Sequence, residues 1–175
     1  MGVAERESEI IKDLKWCRNH AHIKFVPPSA DIVKGNIAQA REDLQAMNVM
    51  AKANIVAWTI NSGYYAKYHV VSALFDEFGV KCENHACVVK LFEYLFADVV
   101  SQDDIDNFAL SKDERIEAQY YSSALKEDLN EANLDDAVKQ SRQFGFKREK
   151  LLDEFRSGKQ NTTALKQKID DIKIW

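Results

Sequence analysis

Apolar residues recur along this chain at spacings of three, four and seven, the signature of helices that bury one face. In the first segment Ile10, Ile11, Leu14 and Cys17 share a side, which predicts a short amphipathic helix. RNHAHIKFVPPS reads as an extended connection, because a residue before proline is pushed out of the α region. Ser29 is the expected N-cap of the next helix, with Asp31 in its first turn, and Ile32, Ile37, Ala40, Leu44, Met47 and Ala51 form the stripe. A further helix runs to Phe78 and is stopped by Gly79, the residue type that takes a left-handed C-cap at no steric penalty. The next, from about Ala86 to Val99, carries Val88, Phe92, Leu95 and Phe96 inward. SQDDIDNF reads as a polar loop, and the capping-box spacing of Ser111 and Glu114 predicts a helix start that continues through about Leu129. Asn133 opens another helix, with Leu134, Val138, Ser141, Gly145, Leu152 and Phe155 near one face and Gly158 at its end. In the tail, Leu165, Ile169 and Ile172 make a last stripe.

With no repeat of fixed period and no low-complexity tract, the expected fold is all-α. It is an up-and-down bundle of four or five helices with a short extra N-terminal helix and a C-terminal helix. The expected division is an N-terminal helix and connection over 1–24, a bundle over 25–157 and an amphipathic tail helix over 158–175.

Composition narrows the function classes. The chain has 175 residues, 46% hydrophobic and 30% charged, in keeping with one soluble domain. A formal net charge of −4 argues against a constitutive nucleic-acid coat while leaving room for a local basic groove. No apolar run approaches the roughly 20 residues that span a bilayer. The charged N-terminus lacks a signal-peptide core, and Arg6 stands where a myristoylation signal needs Ser or Thr. Three cysteines cannot all pair with one another, so reduced thiols and a cytoplasmic location are the expectation.

The stretch NSGYYAKYHVVSALFDEFGVKCENHACVV concentrates the candidate chemistry. Tyr64 and Tyr68 lie one helical turn apart, as do Tyr65 and His69, with Trp58, Asn61, Ser72 and Phe75 at matching spacings. Two readings stand side by side: rings filling the core with polar tips at its rim, or a groove of phenols and an imidazole suited to stacking a base. Cys17, His20 and His22, with Cys82, His85 and Cys87, are of zinc-binding type, but their spacing is no standard finger, and no metal or other cofactor is assigned. No nucleophile elbow or glycine-rich phosphate loop is present, and the acidic runs DEFG, SQDDID and LDDA read as solvated ends and caps.

On Trp58, Tyr64, Tyr65, Tyr68, His69, Gly79, Lys81 and His85 the chain resembles the HEPN (higher eukaryotes and prokaryotes nucleotide-binding) family, in its tyrosine-tyrosine-x-x-x-histidine form. The resemblance covers roughly residues 25 to 157. It implies a helical bundle that forms homodimers, and a ligand site at Tyr64, Tyr65, Tyr68, His69, Lys81 and His85. It also implies metal-independent RNA cleavage by an arginine followed after four to six residues by histidine. Here the matching segment is Arg115-Ile-Glu-Ala-Gln-Tyr-Tyr, with Tyr120 or Tyr121 where the histidine would stand. A phenol with its ordinary pKa near 10 does not replace imidazole as a proton acceptor near neutral pH. The expectation is therefore a non-catalytic module that binds a nucleotide, RNA or a partner, with a minimal nucleotidyltransferase of a toxin–antitoxin pair as the partner the resemblance implies. The alternatives are a diverged ribonuclease built on Arg115 with Tyr120 or His69 assisting, and a homodimeric scaffold.

Overall fold

The computed structural model describes residues 3–120 and 131–175. Seven helices and a two-stranded ribbon follow in chain order among the described residues: α1 (Val3–Asn19), β1 (Ile23–Phe25), α2 (Ala30–Lys52), α3 (Val56–Glu77), β2 (Val80–Cys82), α4 (His85–Phe96), α5 (Gln102–Tyr120), α6 (Glu131–Arg156) and α7 (Thr163–Ile174). The protein is all-α apart from that ribbon, as its periodicity predicts.

The bundle is built on α3, which packs against α2, α5 and α6, while α2 also meets α6. α4 lies beside this group, against α5, α1 and α7. The core runs through all of these layers, with Leu14, Leu74, Phe75, Leu91, Phe92, Phe96, Phe108 and Ile172 at 1% exposure or less. α1 and α7 share this core, through Ile10, Leu14, Leu165 and Ile169.

Ser29 caps α2, its hydroxyl accepting from the amide of Ile32. Val33, however, takes the buried position expected of Ile32, which is 52% exposed. α2 and α3 approach closely at Gly63, where a Cβ would come 2.7 Å from the Met47 methyl. Gly79 follows α3 with φ +69°, and a Cβ there would lie 2.3 Å from the Val26 carbonyl oxygen. That turn sends the chain into β2, which pairs antiparallel with β1 in the register Ile23–Cys82, Lys24–Lys81, Phe25–Val80. The extended connection of the sequence is thus half of a ribbon, whose backbone pairing no side-chain pattern of three residues announces.

Two expectations are corrected after α4. SQDDIDNF is helical rather than a loop: Ser101 accepts from the amide of Asp104, and Ile105 and Phe108 are buried. Ser111 is consequently no cap; it is buried within α5 and donates its hydroxyl to the Phe108 carbonyl at 2.8 Å, a bond serines make inside helices. The expected continuation of this helix to Leu129 lies outside the described residues.

The thiol expectation is also corrected. Cys17 of α1 and Cys87 of α4 form a disulfide with their Cα atoms 6.0 Å apart, and Cys82 alone is free and buried. Packing of α1 on α4, also joined by Arg6–Glu93 and Asp13–Lys90 ion pairs, brings the two tracts together. The thiol argument for a cytoplasmic location is withdrawn with it, since such bonds are uncommon in a reducing compartment. No described helix is long and apolar enough to cross a membrane.

Candidate functional site

α3 delivers Tyr64, Tyr65, Tyr68 and His69 to one side of the bundle because its turns stack residues three and four apart. His85 meets them as the first residue of α4, a start set by Asn84, whose side chain accepts from the amides of Ala86 and Cys87 at 3.1 Å each. Arg115 arrives from α5, and the unbroken run of that helix from Gln102 decides where it points.

These residues form a single cluster of rings and one guanidinium. Tyr64 is buried, its ring parallel to Phe108 at 6.0 Å, and its hydroxyl shares a 2.6 Å hydrogen bond with His85 Nδ1. Arg115 sits over the rings of Tyr64 and Tyr65, 5.2 and 5.7 Å from their centroids, and Nη1 donates to the Tyr65 hydroxyl at 3.3 Å. The Nε of Arg115 is buried and has no hydrogen-bond partner among the described residues. Tyr68 and His85 lie 5.0 Å apart, and His69 stacks on Tyr65 at 6.1 Å. His69 Nδ1 donates to Asp43 Oδ2 at 2.7 Å, so a carboxylate of α2 orients that imidazole.

Burial sets the charge states. It pushes the Tyr64 phenol well above its ordinary value, with Arg115 opposing, and raises Tyr68 as well. It pushes His85 below the usual imidazole value, helped by the positive charges of Arg115 and Lys112. Tyr64, Tyr68 and His85 are therefore favoured in their neutral forms beside one permanent cation.

Beside it, a cleft of about 510 Å³ opens between α2, α3 and the ribbon, lined by Tyr68, His69, Ser72, Asp76 and Lys81 and by an apolar wall that includes Pro27 and Ile32. Of the six ligand residues predicted from sequence, Tyr68, His69 and Lys81 line this cleft, and Tyr64, Tyr65 and His85 belong to the ring cluster adjoining it. Lys81 is exposed and pairs with Glu83 at 3.1 Å. Trp58, 64% exposed, stands apart from the cluster. The side chain of Tyr120 and all of Tyr121 lie outside the described residues. Of the histidines of the first zinc-type tract, His20 stacks on Trp16 and His22 lies tilted against it, and no group of three or more metal-binding side chains gathers among the described residues.

The sequence reading missed the polar partners. Asp76, read as part of a solvated acidic end, is buried and accepts from Asn36 Nδ2 at 2.6 Å. Asn36 and Asp43 are seven residues apart on α2, as are His69 and Asp76 on α3, so the antiparallel pair carries two polar rungs two turns apart. That matched spacing was the available signal. Lys67 was missed as well: it is buried, donates to Asn107 Oδ1 at 2.7 Å, and is lowered to about 8 by burial.

The model of the HEPN domain matches residues 33–145, well over half of the chain. The chain belongs to the HEPN family. The match spans α2 to α5 and enters α6, and so takes in every residue of the ring cluster and both rungs of this HEPN domain. Compared with curated proteins, the HEPN-domain chain finds no match.

Proposed function

We propose that this HEPN-domain protein binds a nucleotide or single-stranded polynucleotide across the ring cluster and the cleft beside it and does not cut RNA. The observation that carries the reading is Arg115, a cation stacked on two phenol rings with no carboxylate partner among the described residues. A guanidinium in that state suits a phosphate, and the adjoining rings suit the base attached to it. The absence of cleavage rests on Tyr120 or Tyr121 standing, by the resemblance, where the family's nuclease histidine would be. In this reading the protein is of the YYxxxH type and acts as a homodimer. Its partner is a minimal nucleotidyltransferase, the two forming a toxin–antitoxin pair. A thermal-shift series with nucleotides and short polynucleotides tests the binding, with a rise in melting temperature expected for wild type and lost in Arg115→Ala. If no ligand shifts the wild type, and Tyr65→Ala only destabilises it, the rings are core and the protein is a scaffold.

A second reading, a diverged ribonuclease, draws support from the Asp43–His69 pair, since a carboxylate that orients an imidazole prepares it to take a proton. Arg115 would hold the phosphate, with His69 or Tyr120 assisting. Single-stranded RNA incubated with wild type and Arg115→Ala decides it: equal background cleavage by both ends this reading.

A further inference from the structure

The two rungs between α2 and α3 differ in what they leave unsatisfied. In Asp43–His69 only the imidazole lines the cleft, whereas in Asn36–Asp76 the amide and the carboxylate both do. Asp76 is only 9% exposed, and its Oδ2 takes the Asn36 amide while Oδ1 has no hydrogen-bond partner among the described residues. A carboxylate can accept about four hydrogen bonds, so one that keeps a single bond within the protein has acceptor capacity open to the cleft. Burial pushes its pKa up, and the Asn36 amide and the Lys81 ammonium hold it back toward the charged form.

The rest of the cleft says what kind of donor fits. Val26, Pro27, Ile32 and Phe75 make an apolar wall, and Ile32 is left 52% exposed on it. A volume of about 510 Å³ is within the range of small-molecule sites. A flat ligand with apolar faces and adjacent N–H donors on one edge satisfies wall and carboxylate together. Guanine has such an edge, with N1–H beside N2–H₂. Adenine and cytosine put a ring-nitrogen acceptor next to their amino group, and uracil flanks its one N–H with carbonyls. Lys81 lies close enough to Asp76 to act on its charge, and its exposed pairing with Glu83 is of the weak surface kind that an incoming phosphate replaces.

We propose that this cleft selects a guanine nucleotide, Asp76 accepting from N1–H and N2–H₂ while the base lies on the apolar wall and Lys81 joins Arg115 in holding the phosphate. This rests on the nucleotide-binding reading above and names its base. Calorimetric titration with the monophosphates of guanosine, adenosine and xanthosine, on wild type and Asp76→Asn, tests it. Wild type is expected to favour the guanosine nucleotide by about tenfold or more, the discrimination of one good paired contact. Asp76→Asn should lose that preference and gain the xanthosine nucleotide, whose 2-oxo group accepts from the new amide. A folding defect would weaken all three rather than exchange two. Lys81→Ala should weaken the guanosine nucleotide while leaving guanosine itself unchanged. Equal affinity for the guanosine and adenosine nucleotides, unaltered in Asp76→Asn, overturns the assignment of the base and leaves nucleotide binding standing. Absence of binding by any of the three, or by the polynucleotides of the thermal series, overturns both.

Discussion

Arg115 and Arg148, two of the three arginines that lie over aromatic rings among the described residues, are finished in opposite ways. Arg148 of α6 lies 4.9 Å over Phe144, with its side chain 5% exposed, and donates to Asp104 at 3.0 Å. Lys147 bonds the same carboxylate, and Lys67 lies within its electrostatic reach. Arg115, across Tyr64 and Phe108 from that cluster, has rings and a phenol oxygen but no carboxylate among the described residues. The cations around Asp104 have their counter-ion inside the fold, so their charge ties α5 to α6. The charge on Arg115 is left over, and that separates a strut from a binding group better than burial or ring contact does.

Asp104→Ala is expected to give the largest effect, a loss of about 3 to 5 kcal/mol in urea unfolding, because it strands Arg148 as an uncompensated charge in the core. A loss below about 1 kcal/mol would put Arg148 in the same class as Arg115 and erase the contrast.

Lys67 gives the next effect, through pH. Its folded value of about 8 is below the ordinary lysine value of 10.5, so between those pH values the unfolded chain holds a proton that the folded one does not. Stability therefore rises with pH across that window, by on the order of 2 to 3 kcal/mol. Tyrosines of the unfolded chain titrate near its upper end, so the measurement is the difference between wild type and Lys67→Met, which should lack the rise.

On the open side, Gly79→Ala is expected to lose about 2 kcal/mol or more, since a left-handed residue gains a Cβ that meets the Val26 carbonyl oxygen. Ligand binding should fall with it, because that turn carries the ribbon wall of the cleft. A stable variant that still binds would mean the ribbon is no part of the site.

Arg115→Met should be the mildest change in stability, about 1 kcal/mol from the lost ring contacts, and should abolish the nucleotide-induced thermal shift. A destabilisation as large as that of Asp104→Ala would show Arg115 to be a strut as well.

How much of this was legible depended on whether a feature was local. The stripe Leu165, Ile169 and Ile172 and the Gly79 stop were readable because each depends on a few adjacent residues, and the structure has them as expected. The start of α5 was misread because two serines stand ahead of an acidic residue at cap spacing, Ser101 before Asp104 and Ser111 before Glu114. What chose between them was the burial of Ile105 and Phe108, a tertiary fact. The exchange of Ile32 for Val33 has a local origin, since Val33 and not Ile32 keeps the spacing of four and three with Ile37, Ala40, Leu44, Met47 and Ala51.

The sequence by itself determined the all-α class, most helix ends and the aromatic content of α3, since periodicity, caps and glycine punctuation act within a turn or two. It also determined that no histidine follows Arg115 at the spacing of the family's nuclease motif. Tertiary structure alone decided which charges are neutralised. The joining of Cys17 to Cys87, of Asp43 to His69 and of Arg148 to Asp104, and the isolation of Arg115, each depend on residues at least 26 positions apart. Electrostatic partnership is set by distances of a few ångströms in the folded chain, and no local pattern encodes them.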